Sequence, residues 1–490
     1  MRRVKRTSSY RLVAAGVFLA AALPWLAGCQ PQNTGVTVFE GARLITGDGS
    51  APIENSAFIV ESNLFTQVGR RGQLQIPAGA LRVDLAGKTV MPAMIDLHGH
   101  FGYQHLAEGR MSKAFYTREN LIEHLERLAY VGVGATVGIA DLLDRSDLRG
   151  GRTNWGDVPL RMREEVVPGA ALFRTAGTGM AWPGSGAQGD PSRADVMYPV
   201  TTVEEARAAV QDYVKMKPEF IKIWVDSRGG TKPTLTPPMY EAILSEAHKF
   251  NVPVAVHNVR LADAKRMMRA GMEGWMHEPV RGGDAVDDEL IAIVKDRIAR
   301  GDRPVIWMTP SMITAWMDTH GGTRPALLDD PLLRDLFTPA QIEQYWGGPL
   351  AKRTPEEAAR AKRDFALMAN NLMKLRAAGM LVVTGSDTGQ NRYLMGFYNH
   401  MDLESMAASG MTPSEVIAAA TRDAARIAKI NAGTVATGKS ADFIVLNANP
   451  LEKIGNTRQI NKVYLRGQEV DRAALKAKWQ AQINSQTSSR

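Results

Sequence analysis

The apolar run Lys88-Thr89-Val90-Met91-Pro92-Ala93-Met94-Ile95 leads straight into Asp96-Leu97-His98-Gly99-His100. Side chains alternate along a strand, so a buried strand ending in His-x-His projects both imidazoles to one side. Two neutral imidazoles converging there make half of a metal site, of a kind that suits zinc and its borderline neighbours. Taken alone, the pair reads equally well as two histidines bonded to backbone. Four later stretches decide between the readings, because each ends a strand-like run with a residue able to bind metal or carries one inside it.

Helical and strand-like segments alternate through the middle of the chain, which argues for an α/β barrel. A helix pattern from Thr117 to Tyr130 precedes the strand-like Ala135-Thr136-Val137-Gly138-Ile139. Thr201-Thr202-Val203-Glu204-Glu205 reads as a capped helix start, running toward Met216. The strand Glu219-Phe220-Ile221-Lys222-Ile223-Trp224-Val225 then holds a lysine inside an apolar run, where an ordinary ammonium is costly to bury. A lysine snorkelling from a strand edge is the plainer explanation. Further strand-like runs end in His257, in His277 and in Thr384-Gly385-Ser386-Asp387. In a barrel, active residues gather at the C-terminal ends of the strands, so His98, His100, Lys222, His257, His277 and Asp387 are expected to converge. Residues 311–354, rich in Pro, Gly and Trp, form a long insertion that is a candidate lid.

The 490 residues are 44% hydrophobic and 22% charged, enough for one barrel-type domain and a smaller one. The formal charge of +8 includes Arg2, Arg3, Lys5, Arg6 and Arg11, and without these five it is +3. Nucleic acid is therefore not an expected partner. The basic start, the apolar run Leu12–Leu23 and the small residues that follow read as a secretory signal, too short for a membrane span. Leu26-Ala27-Gly28-Cys29 resembles the bacterial lipobox, which implies cleavage of residues 1–28, lipidation of Cys29 and a tether over 29–35. Cys29 is the chain's single cysteine, so no intrachain disulfide is possible. The expectation is an exported protein, lipid-anchored to the bacterial cell envelope; Gln30 resembles the pattern of outer-membrane sorting in a Gram-negative host.

Short β-like runs lie on both flanks. Ala57-Phe58-Ile59-Val60 and Leu81-Arg82-Val83-Asp84-Leu85 come early, and Ala441–Leu446 and Lys462–Gln468 late. Residues 36–90 and 430–475 are expected to build a composite β-sandwich domain beside a barrel over 91–429; two unrelated terminal hairpins are the blander reading.

The constellation resembles the amidohydrolase superfamily, in its two-metal branch with a carboxylated lysine. Met91–His100 is similar to the first-strand motif, Phe220-Ile221-Lys222-Ile223 to the fourth-strand lysine motif, and His257, His277 and Asp387 to the ligands of the fifth, sixth and eighth strands. Gly410–Glu415, Ala420-Thr421 and Gly438–Asp442 resemble the C-terminal segment. The imidazolonepropionase-like and Xaa-Pro dipeptidase-like members are the nearest in pattern. Ala93-Met94 departs from the usual Pro-Gly or Leu-Gly without touching a ligand, and the insertion after Pro310 makes carry-over of substrate specificity unsafe.

The resemblance implies a (β/α)8 TIM-type barrel and two divalent metal ions, with zinc as the default and manganese or iron also suited. His98, His100 and Asp387 would hold one metal and His257 and His277 the other, with N6-carboxylated Lys222 as the bridging ligand. It implies hydrolysis of an amide or cyclic amide in a small molecule or dipeptide by water activated between the metals, Asp387 carrying the proton to the leaving nitrogen. A one-metal deaminase and an inactive surface binding lipoprotein remain as alternatives. A homo-oligomer is compatible with all three. His105, His124, His248 and His320 read as surface or packing residues, and His400 with Glu404 as structural. Trp182, Trp224, Arg228, Trp316, Trp346 and Tyr393 stay unassigned as pocket residues.

Overall fold

A computed structural model describes residues 35–143, 157–186, 193, 196–280, 284–301, 306–348, 350–389 and 394–488. The leader, Cys29 and Tyr393 lie outside the described residues. Among those described, no helix is long and apolar enough to cross a membrane.

Parallel strands make the centre. β1 (Met94–Gly99), β2 (Val133–Gly138) and β3 (Leu172–Thr175) pair in the order β3-β2-β1. β4 (Ile221–Val225), β5 (Val254–Asn258), β6 (Gly274–Met276), β7 (Trp307–Thr309) and β8 (Leu381–Val382) pair in sequence within a seven-stranded sheet. Met180–Ala181 and Tyr198–Pro199 complete that sheet. Past β8 the chain bonds back to β1, through Leu97 N to Thr384 O at 3.1 Å and His100 N to Thr388 O at 2.8 Å. Every residue of β1, β2, β4 and β5 is buried, as parallel strands covered on both faces require. Lys222 is 0% exposed. It does not snorkel.

Helices follow the strands because their apolar residues recur on one face and their starts are capped. α1 (Arg118–Tyr130) begins at Thr117, whose hydroxyl accepts from Asn120 N, and buries Leu121, Leu125 and Leu128. α2 (Val203–Tyr213), α3 (Pro237–Lys249), α4 (Leu261–Arg269) and α5 (Asp288–Ala299) lie between the later strands. The long α6 (Pro355–Ala377) opens on a capping box between Thr354 and Glu357.

The insertion expected to act as a lid is instead a packed helical piece. Helices Ile313–Asp318, Pro331–Leu336 and Pro339–Trp346 bury Leu332, Leu333, Leu336, Ile342 and Trp346 in the main core. Gln341 donates to the Leu106 carbonyl at 2.7 Å, and Arg458 bonds Asp330 at 2.7 Å. Burial of these five apolar side chains, each worth about 1.5–3 kcal/mol, holds the segment against the core in this arrangement. A C-terminal helix, Arg472–Ser488, holds it from outside. Its Trp479 stacks on the Arg127 guanidinium at 4.4 Å, while Tyr130 on α1 donates to Asp335 at 2.8 Å.

At the flanks, Leu64–Arg70, Ser56–Glu61, Val36–Glu40 and Leu81–Asp84 form a four-stranded sheet in that order. A five-stranded sheet joins Arg43–Leu44 and Thr89–Pro92 to Phe443–Leu446, Ile460–Leu465 and Gln468–Glu469, so strands from both ends of the chain share it. The two sheets contribute Phe39, Phe58, Phe65, Phe443 and Tyr464 to one aromatic cluster, with ring centroids 4.6–5.8 Å apart.

Candidate active site

Asp96 and His98 share one parity on β1, and His100 keeps that spacing just past its end. Asp96 is the hidden one. Its Oδ1 accepts from His98 N and Ser386 N, both at 3.0 Å, and its Oδ2 from Ser386 Oγ at 2.6 Å and Asn399 Nδ2 at 2.7 Å. Burial pushes its pKa up, and these four donors pull the other way. They fix the turn after β8 against β1. Glycines let that turn approach closely: a Cβ on Gly385 would meet Thr309 Cβ at 2.5 Å, and one on Gly389 would meet the His100 carbonyl oxygen at 1.8 Å. Between them Asp387 sits at φ 56°, a left-handed conformation that aspartate tolerates better than most residues.

The turn delivers the Asp387 carboxylate to the two histidines. His100 Nε2 lies 3.0 Å and His98 Nε2 3.5 Å from Asp387 Oδ1, and His277 Nε2 lies 4.0 Å from Oδ2. His98, His100 and Asp387 each offer a ligand atom, all within 4.8 Å of one another. His100 Nδ1 donates to the Ile139 carbonyl at 2.7 Å, which leaves the Nε2 lone pair facing the carboxylate. Burial lowers the pKa of both His98 and His100, which favours the neutral ring that ligates a metal. Burial pushes Asp387 up, but the imidazoles beside it outweigh that and hold it below the usual carboxylate range.

The other expected residues gather here too. His277, at φ 81°, places its ring 4.7 Å from that of His98 and 5.0 Å from that of His257. Lys222 Nζ lies 5.2 Å from the Trp224 ring centroid. Five of the six are joined by direct distances, and Lys222 is placed beside Trp224 on β4.

Sequence reasoning passed over four residues around them. Asp226 follows β4, and its Oδ2 contacts His257 Nε2 at 3.1 Å; that bond outweighs burial and brings its pKa down to about 2. Its spacing from Lys222 keeps strand parity, a signal that was available. Arg193 is buried, and its charge acts on His100 and Asp387. Asp141, just past β2, accepts from Thr175 Oγ1 and from Tyr116 at 3.1 Å, and burial raises its pKa to about 7. Asp96 was read only as part of the β1 run. His124, by contrast, bonds the Gln104 carbonyl and Gly102 N, and His400 bonds Thr457 and the Val131 carbonyl, so both are structural. Glu404 pairs with Arg458.

A cavity of about 750 Å³ opens elsewhere, at the N-terminal starts of β5 and β6, lined by His248, Pro253, Gly271, Glu273 and Arg297 among others. It faces away from the site.

No curated protein matches the chain. Among solved structures, a Xaa-Pro dipeptidase with methionine bound in its active site is similar at a TM-score of 0.65 and 20% identity, covering 89% of this chain and 99% of that one. Phenylurea hydrolase B is similar at 0.63 and 22%, covering 90% and 98%. Molinate hydrolase is similar at 0.65 and 18%, covering 90% and 96%. At these identities the likeness shows a shared fold, TIM-barrel-like and α/β. The amidohydrolase family pattern matches residues 89–470, and the chain belongs to that family of hydrolases acting on carbon–nitrogen bonds.

Proposed function

We propose that the protein is a two-metal hydrolase of amide bonds in a dipeptide or a small molecule. One observation carries the reading: two imidazole Nε2 atoms converge on Asp387 Oδ1 at 3.5 and 3.0 Å, with His277 4.0 Å from its other oxygen. The donor set fits divalent cations. His98, His100 and Asp387 would hold one ion and His257 and His277 a second, and Lys222, carrying a carboxyl group on Nζ, would bridge them. Deep burial favours the neutral amine that such carboxylation requires. Metal bound there would polarise the substrate carbonyl and lower the pKa of an attacking water. Asp387, unprotonated near neutral pH, would accept that water's proton and pass it to the leaving nitrogen. The Ile139 carbonyl holds His100 in the right tautomer, and Asp96 holds the turn that aims Asp387.

The same proposal includes closure of β1–β8 into an eightfold barrel over 91–429, supported by the bonds from the turn after β8 to β1. It includes a β-sandwich built from 36–90 and 430–475, supported by the sheet that both ends share. Residues 1–28 as a lipoprotein signal, lipidation of Cys29 and display on the cell envelope rest on the sequence alone.

Structures similar in fold include a Xaa-Pro dipeptidase and a phenylurea hydrolase, so the test is a substrate panel. Metal-loaded protein lacking the leader is offered dipeptides, N-acyl amino acids, anilides and phenylureas, with and without a chelator. Hydrolysis of one class that stops on chelation supports the reading. Turnover that persists after complete metal removal contradicts it.

A further inference from the structure

Arg228 stands at the C-terminal end of β4 in a left-handed conformation, φ 51°, with 46% of its side-chain surface exposed. A long cation so open normally swings freely, but this one is anchored twice. Its Nη1 lies 3.4 Å from Asp226 Oδ2, the same oxygen that contacts His257 Nε2 at 3.1 Å. Its Nη2 donates to the Gly186 carbonyl at 2.8 Å. Gly186 in turn lies against Trp224, since a Cβ there would meet the indole at 2.8 Å, and that indole lies 5.2 Å from Lys222 Nζ. Both anchors therefore lead to a proposed metal ligand, one to His257 and the other to Lys222. The Asp226 backbone tie is local as well, its Oδ1 accepting from Arg228 N at 2.8 Å.

We infer that Arg228 is the specificity residue of this site and receives a carboxylate on the substrate's leaving amine, so that the substrate is a dipeptide or N-acyl amino acid rather than a neutral amide or urea. The inference rests on the hydrolase reading above. Guanidinium carries five donors in a planar fork that matches a carboxylate, and the two anchors account for one contact each at Nη1 and Nη2. In a dipeptide or an N-acyl amino acid the leaving nitrogen and the carboxylate share one carbon, which places the anion a few bonds from the reacting carbonyl. A cation one carboxylate away from His257 matches that spacing. On the acyl side a free dipeptide carries an ammonium, which Arg228 would repel. Among the described residues, Arg193, whose charge acts on His100 and Asp387, is buried at 4% exposure, while Arg228 is the more open of the two.

The test is binding, independent of turnover. L-leucine and L-leucinol differ in the carboxylate alone and neither can be hydrolysed. Calorimetry on zinc-loaded protein compares them in the parent, in Arg228→Met and in Arg228→Lys, with metal content measured in each. The expected result is a preference for leucine of about 10- to 100-fold in the parent. Arg228→Met removes it, Arg228→Lys restores part of it, and the metal content stays the same. Equal binding of the two ligands by the parent overturns the inference. So does a preference that survives in Arg228→Met, which would move the anion to the metals or to Arg193. Leucine held through Arg228 by a protein that hydrolyses no substrate would instead refute the hydrolase reading and leave the binding assignment standing.

Discussion

At the N-terminal ends of β5 and β6, His248 Nε2 meets Glu273 Oε1 at 2.9 Å; at the C-terminal ends of β4 and β5, His257 Nε2 meets Asp226 Oδ2 at 3.1 Å. The residue types match, and the surroundings do not. Glu273 also accepts from Val254 N at 2.8 Å, and Arg297 donates to the carbonyls of Met268, Gly271 and Met272, closing the end of α4. There the charged groups finish helices. At the other end His277 and Asp387 are themselves in left-handed conformations, with His277 Nε2 4.0 Å from Asp387 Oδ2. The gathering of three imidazoles about one carboxylate marks that end as the candidate working one.

The comparison breaks most easily at Asp387. Asp387→Asn keeps the shape and removes the proton acceptor, so hydrolysis is expected to fall about 10²–10⁴-fold while the thermal midpoint moves little. Glu273→Gln should do the reverse, lowering the midpoint and leaving kcat unchanged. Loss of kcat in both variants would erase the distinction between the two ends.

Asp96→Ala comes next. It strands four buried donors, and the expected loss is about 2–4 kcal/mol by urea unfolding together with reduced metal content. Arg297→Met, which frees the carbonyls at the end of α4, should cost about 1–3 kcal/mol with metal content and kcat intact.

Asp141 sharpens the comparison through pH. Burial raises its folded pKa to about 7, above the 3.8 of an unhindered aspartate, so between those values the folded chain keeps a proton that the unfolded chain has released. Its contribution to stability is therefore neutral below pH 3.8, falls as pH rises, and reaches its full penalty above about 7. Unfolding followed from pH 4 to 8 should show the parent losing stability relative to Asp141→Asn, and parallel curves would refute the assignment. The smallest effect is expected at Arg300, 57% exposed and paired with Asp296, where Arg300→Gln should shift stability by less than about 0.5 kcal/mol.

Much of the site was legible because strand parity and the placement of chemistry at strand ends are local patterns. Lys222 inside Phe220-Ile221-Lys222-Ile223 and His257 after Val252–Val256 could be read without any tertiary contact. Asp96 could not, because its partners Ser386 and Asn399 are 290 and 303 residues away. The insertion misled for a related reason. Its Pro-rich composition marks helix starts here, as at Pro331 and Pro339, and only its burial against α1 and the last helix separates a packed piece from a flap. That last helix was missed outright, although Leu475 and Trp479 recur at helical spacing, because a polar C-terminus reads as a tail.

Metal content per chain, by elemental analysis of protein lacking the leader, tests the central claim most directly when Lys222→Ala and Arg297→Met are measured beside it. The account predicts two ions per chain in the parent and in Arg297→Met, and a clear loss in Lys222→Ala. One ion per chain, unchanged by removal of the lysine, would contradict the bridging role. No ion after reconstitution with zinc or manganese would contradict the hydrolase.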